Sequence, residues 1–443
     1  MSHETEAVYV EKDDGVYLGN VAFFMMLGAT LISLLGTLMT DFALGQWVYK
    51  QTNSATAYGV IGFAALAPQL LFSPFIGTLL DRYPRGTLMV LGHAGAGVCT
   101  LSLVLLYASD VLNFWYILIF VGIGSIFNGF ISQSFMVLVP TLIPENKLIK
   151  FQGFIQGGLG VVELSVPALA AFFLVSVGLE GVFIADVVSF VSAICLLLLI
   201  VKKINKSDGR AEPNTDQPTS TKSQLMYGLR YLVNHTKLLT LLLFMGAINF
   251  SVGIVHVLLT PLVLSFSSVV ELGTVMTAAG VGTLVGSALL VLFNDMNNKV
   301  ALLCGLLFVI GLLLINTTVI FVDPQLTIWI LTGIVLSLTM LFVMVDSVNQ
   351  VIWQTSVPKE LQGRVLSIQT LVSQISLPLA FLIAGPMADY LFEPLFAVNG
   401  PLTDSLGHFI GVGPGRGIVF LYGICGIMII LSVGVFYKFS KRQ

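Results

Sequence analysis

Long apolar runs alternate with short polar breaks along almost the whole chain, and few charges fall inside the runs. A hydrocarbon core about 30 Å thick takes about 20 helical residues to cross, because backbone N–H and C=O groups in lipid must be satisfied within the segment. Twelve windows of that length can be marked between residues 18 and 437, the second over 56–80 and the eleventh over 365–387. The pattern predicts an all-α integral membrane protein with 12 transmembrane helices. One break differs from the rest. Residues 202–237 are polar, hold Lys202, Lys203, Lys206, Arg210, Pro213 and Pro218, and divide the windows six and six. Within this linker Leu225, Leu229, Leu232 and Val233 recur at helical spacing, which predicts an amphipathic helix lying on the membrane surface.

The expected organisation is a cytoplasmic tail at 1–17, a six-helix bundle at 18–201, the linker at 202–237, a second six-helix bundle at 238–437 and a tail at 438–443. Composition agrees, with 56% hydrophobic and 10% charged residues and a mean hydropathy of +0.96, outside the range of soluble domains. Basic residues set the orientation. With both termini cytoplasmic, all but two of the 20 Lys and Arg lie inside, the exceptions being Lys50 and Arg416. This points to a multi-pass protein of the cell membrane. The first 17 residues are polar and acidic and lack the pattern of a cleaved signal peptide.

Traces of duplication link the halves, as in many secondary transporters. Asp81 and Arg85 follow the second window as Asp295 and Lys299 follow the eighth; Pro144 and Lys150 are spaced as Pro358 and Arg364 are; Pro167 interrupts the fifth window and Pro378 the eleventh. These matches predict two pseudo-symmetric bundles with a pathway between them. Gly282 and Gly286 in the eighth window, and Gly77 ahead of the charged turn, predict close approach of neighbouring helices.

Ionisable residues within spans are functional candidates because their burial is costly. Asp41, Glu163, Asp186 and Asp346 are such residues. Burial disfavours a charged carboxylate, so one that alternates between apolar surroundings and water can take up and release a proton. Asp41 and Glu163 are the first choices for proton carriers, and Asp186, with Ser189 one turn on, could equally fix helix packing. Gln69, Asn128, Gln133, Gln156, Asn249, Asn349 and Gln350, with Phe23 as an apolar wall, are candidates to line a cavity for an amphipathic solute. His93 and His256 read as satisfied polar groups. The four cysteines lie in apolar spans without metal-ligand spacing and read as packing residues. No metal or cofactor is expected, and a net charge of −3 leaves no nucleic-acid footprint. The glycine-rich stretch 411–417 has no Lys-Ser or Lys-Thr after it, and no Walker loop, nucleophile elbow or zinc motif occurs. An enzyme is therefore not expected, and transport would draw on an ion gradient or the solute's own.

The turn GTLLDRYPRG at 77–86, with twelve windows split six and six, resembles the major facilitator superfamily, whose signature lies between its second and third helices. Here Pro84 stands in the signature's glycine position and Gly86 replaces a basic residue. Four further stretches, 33–56, 183–193, 352–369 and 385–417, resemble the macrolide-efflux-type branch of drug and metabolite exporters. The fifth window departs from the exporters' Gly-Pro pattern, with Ser165, Val166, Pro167 and Ala168. The resemblance implies a conformational latch of Gly77, Asp81, Arg82 and Arg85 against the start of the eleventh helix near Arg364. It also implies a proton-coupled exporter of an amphipathic small molecule, a macrolide-like antibiotic or secondary metabolite, working by alternating access as a monomer in the bilayer. An importer or lipid-related carrier on the same fold, or a sensor or assembly factor that no longer transports, is the rival reading.

Overall fold

The computed structural model describes residues 4–143, 148–207, 230–292, 298–319, 324–357 and 359–442. These form helices α1 (Glu4–Thr52), α2 (Ala55–Leu71), α3 (Ser73–Arg82), α4 (Arg85–Ala108), α5 (Phe114–Leu142), α6 (Leu148–Ser176) and α7 (Leu179–Ser207). After the linker come α8 (Thr236–Phe266), α9 (Val269–Leu292), α10 (Lys299–Asn316), α11 (Pro324–Ser356) and α12 (Lys359–Pro386). One π-helical turn, Met387–Phe392, joins α12 to α13 (Glu393–Phe396), and α14 (Gly407–Ile410) precedes α15 (Arg416–Arg442). Among the described residues eleven helices are long and apolar enough to span a membrane, or twelve when α2 and α3 count as one broken span. Of the expected linker helix, residues 230–234 are helical; Leu225 and Leu229 lie outside the described residues, as do Asp295, Pro144 and Pro358.

The second span differs from the continuous helix the apolar window predicts: it bends by 44° between α2 and α3. Pro68 lies inside α2 and Pro74 opens α3, and each proline removes a helical N–H donor, the usual origin of a kink. Phe72 sits at the break, its N–H still bonded to Pro68 O at 2.9 Å.

The chain packs as two compact units, Met1–Leu44 with Ala64–Asn214, and Gly45–Phe63 with Thr215–Gln443. The end of α1 and the start of α2 thus pack with the helices of the second unit. Between helices in lipid the apolar surroundings supply little drive for association, so close packing through small residues matters most. In the first unit α4 lies on α5 and α7, and a Cβ at Gly92 or Gly95 would run into Ile131 and Phe127 of α5. In the second unit α9 lies on α11, where a Cβ at Gly282 or Gly286 would strike the backbone at Leu336 and Met340. Thr339 Oγ1 donates across that seam to Ala279 O at 2.9 Å.

The α1–α2 reversal takes two residues, Asn53 and Ser54, with Asn53 at φ 47°, a left-handed conformation that asparagine tolerates. Ser54 Oγ accepts the Ala57 N–H at 3.1 Å and caps α2. The entry to α15 turns through Gly411, Gly413 and Gly415 at φ 90°, 117° and 81°, values that favour glycine.

Candidate functional site

A polar pocket lies inside the first unit, walled by α1, α2, α4, α5 and α7. Helical spacing places Thr37, Thr40 and Asp41 on one stripe of α1, Cys99 and Thr100 on α4, and Phe120, Ser125 and Asn128 on α5. Asp186 and Phe190 enter from α7, one turn apart. Gly36 makes this possible, since a Cβ there would occupy the place of Ser189 Oγ and Asp186 Oδ1.

Asp186 is 1% exposed, and hydroxyls from three helices hold it. Thr40 Oγ1 donates to its Oδ2 at 3.0 Å and Thr100 Oγ1 at 2.9 Å, while Ser189 Oγ, which donates to Asp186 O at 2.7 Å, also lies 3.4 Å from its Oδ1. A hydrogen bond to a charged group is worth about 1.5–3 kcal/mol, so these donors offset part of the cost of placing a carboxylate here. Asp41, adjacent to Thr40 in sequence, is half-buried in the same pocket and accepts no hydrogen bond from the described residues. One wall therefore holds a carboxylate fixed by hydroxyls, and another holds one facing the open space.

A second polar layer lies two turns along the same helices. His93 is fully buried, its Nδ1 3.0 Å from Ser33 Oγ. Its Nε2 is buried and has no partner among the described residues, so the satisfied-histidine reading holds for one nitrogen only.

The structure brings together two of the four expected proton carriers, Asp41 and Asp186. Glu163 is exposed on α6 and Asp346 is exposed on α11, and neither lines the pocket. Among the cavity candidates Asn128 is in the pocket, and the Gln69 N–H donates to Ser125 Oγ at its edge, at 3.3 Å. Phe23 differs from its expected place on a cavity wall. It is fully buried in the core of the first unit, 4.8 Å ring to ring from Phe151, because apolar character alone does not separate a wall from a core. Gln133 lies opposite Gly77. In the second unit Asn249 is half-buried, Gln350 exposed, and Asn349 2% exposed with Oδ1 unpartnered among the described residues.

The charged turn is short, with Tyr83 and Pro84 alone between α3 and α4. Arg82 is exposed and Arg85 half-buried, while the side chains of Asp81, Arg364 and Gln156 lie outside the described residues. Among the described residues no group of three or more His, Cys, Asp or Glu is placed to hold a metal ion.

Two carboxylates missing from the expected set are Asp389 and Glu393, both at the π-turn. Asp389 accepts from Ser54 Oγ at 2.6 Å, Ala55 N at 3.0 Å and Thr56 N at 2.8 Å, binding the start of α2. Glu393 accepts from Gly415 N at 3.2 Å and Ile418 N at 3.1 Å, binding the start of α15. The apolar window ends at 387 and leaves both outside the expected spans; their spacing of four residues beside an apolar run was the available signal.

Comparison with known proteins agrees with this architecture. Macrolide efflux protein A of Streptococcus pyogenes is 23% identical over 398 residues, covering 86% of this chain and 93% of that protein. The multidrug efflux pump Tap of Mycobacterium tuberculosis is 23% identical over 385 residues, covering 83% and 87%. The crystal structure of the nucleoside transporter NupG superposes with a TM-score of 0.72 at 10% identity, over 94% of this chain and 99% of that one, a likeness of fold. The sequence pattern of the Major Facilitator Superfamily matches residues 18–381, and this chain, a multi-pass membrane transporter and not an enzyme, belongs to that superfamily.

Proposed function

We propose that the protein is a proton-coupled exporter of an amphipathic small molecule, working by alternating access, with the Asp41–Asp186 pocket carrying the proton. The observation behind this reading is the placement of two carboxylates in one pocket between apolar helices, one held by three hydroxyls and one facing open space. Two negative charges in such surroundings are costly even with the hydroxyls on Asp186, so the pair favours holding one proton, and its release follows when water reaches the pocket. Asp186 receives and positions; Asp41 exchanges with the space in front of it. Export, rather than import, is supported by the efflux relatives, and the basic-residue distribution supports cytoplasmic termini. The turn at Asp81, Arg82 and Arg85 remains the proposed inner latch, on the strength of its resemblance to the superfamily signature.

The test is solute flux from proteoliposomes under an imposed pH gradient. Wild type moves an amphipathic dye or macrolide in proportion to the gradient. Asp41→Asn and Asp186→Asn lose the gradient-driven component while retaining solute exchange at equal pH, and Glu163→Gln keeps most of it. Flux that ignores the gradient, or Asp variants that follow it like wild type, would remove the coupling. The same vesicles sorted by orientation give the direction of net movement.

A further inference from the structure

The second carboxylate site, at the π-turn, has no part in the reading above. Asp389 does more than fill a loop: its two oxygens take the Ala55 and Thr56 N–H groups and the Ser54 hydroxyl. These are donors that a helix start leaves unpaired, and a carboxylate there also meets the positive end of the helix dipole. Ser54 is used twice, since its Oγ also accepts the Ala57 N–H. Behind this end-on contact runs a side-on one. A Cβ at Gly59 or Gly62 would strike Phe381, and one at Gly385 would strike the Ala55–Thr56 backbone. Tyr58 Oη lies 3.1 Å from Thr260 Oγ1 of α8.

Glu393, one turn further on, makes the same kind of contact with α15. The two acids differ in what they hold. Helix α15 belongs wholly to the second unit, whereas α2 passes into the first unit after Phe63. A π-turn leaves a local irregularity in a helix and recurs at functional sites, and here Glu393 N–H reaches back five residues to Ala388 O. Asp389 sits within that turn.

We propose that Asp389 is a positioning residue for transport, a releasable clasp that ties the α1–α2 reversal to the eleventh span and must let go each time the outer side opens. Its contacts suit release: they are polar, gathered at one helix end, and exchangeable for water. The side-on glycine contacts offer shape without a comparable lock. The proposal rests on alternating access but not on proton coupling or on the identity of the solute.

The experiment measures spin-label distances in the full-length protein in lipid nanodiscs without solute or gradient. Labels go on Gln51→Cys and Val398→Cys, both exposed, in a background where exposed Cys195 is serine and the three buried cysteines are kept. Asp389→Asn is expected to raise the long-distance population relative to the short by about tenfold, the weight of one hydrogen bond to a charged group. Asp389→Glu restores most of the short-distance population, and Ser54→Ala, the milder variant should Asp389→Asn fold poorly, gives a smaller shift in the same direction. Glu393→Gln is the control: it lowers thermal stability and leaves the distance distribution unchanged. Identical distributions in wild type, Asp389→Asn and Ser54→Ala would overturn the clasp. So would Glu393→Gln shifting the distances as far as Asp389→Asn, which would mean general loosening of the π-turn. Neither result depends on the proton-coupling test, so the two readings fail separately.

Discussion

The third and sixth spans of each unit form comparable seams, yet they are filled in opposite ways. In the first unit the α4–α7 seam holds Asp186, Thr100 and His93, with Thr40 and Ser33 added from α1. In the second, α10 and α15 meet through Gly311 and Gly426, where a Cβ on either would strike the other's carbonyl oxygen. Tyr422 of α15, 1% exposed, turns instead to α8, where its hydroxyl donates to Val255 O at 2.7 Å. One seam therefore keeps groups that can change charge; the other has backbone pressed on backbone. The difference teaches that a duplicated scaffold can confine its chemistry to one copy and leave the other as a stiff frame.

The comparison breaks most readily in the second unit. Gly426→Leu forces a side chain into the α10 backbone and is expected to cost about 1–3 kcal/mol or more, as overpacking does, read as a lower unfolding temperature in detergent with poor recovery of folded protein. An unaltered unfolding temperature would show that the seam is loose rather than stiff. A change of intermediate effect belongs to the first unit. Gly36→Ala puts a methyl where Ser189 Oγ and Asp186 Oδ1 lie, and gradient-driven flux should fall about tenfold, as when a hydrogen bond to a charged group is disturbed. Equal-pH exchange should fall much less. Equal loss of both would assign Gly36 to packing alone and erase the contrast. The smallest effect sharpens the contrast: Tyr422→Phe removes one neutral hydrogen bond and should cost about 1 kcal/mol of stability, with the dependence of flux on the pH gradient unchanged.

Much of this arrangement could be read from sequence, and the gaps have physical causes. The spans were legible because lipid imposes one length and one composition on every crossing. The bend at Phe72 was not, since Pro68 and Pro74 lie within an apolar run that reads as continuous. Asp41 and Asp186 stood out singly as intramembrane acids, but 145 residues separate them in sequence, and periodicity on one helix says nothing of which stripe of another it meets. Glu163 had the same signal and a different position. Ser189, one turn from Asp186, could be read as its partner, but Thr40 and Thr100 gave no signal, because a hydroxyl in an apolar span commonly bonds its own helix, as Thr30 does to Met26 O at 2.9 Å. Asp389 was hidden by a boundary: hydropathy ends the eleventh window at 387, two residues before it.

The broken second span has a mechanical consequence. Seventeen residues of α2 and ten of α3 are rods of roughly 26 and 15 Å at 1.5 Å per residue. With 44° between them, straightening the span would sweep the far end of the shorter rod through roughly 11 Å, by the geometry of a 15 Å arm. The turn with Asp81 and Arg85 rides on that end. Phe72 is thus the elbow of a crank whose throw, over the full 44°, exceeds the length of any side chain.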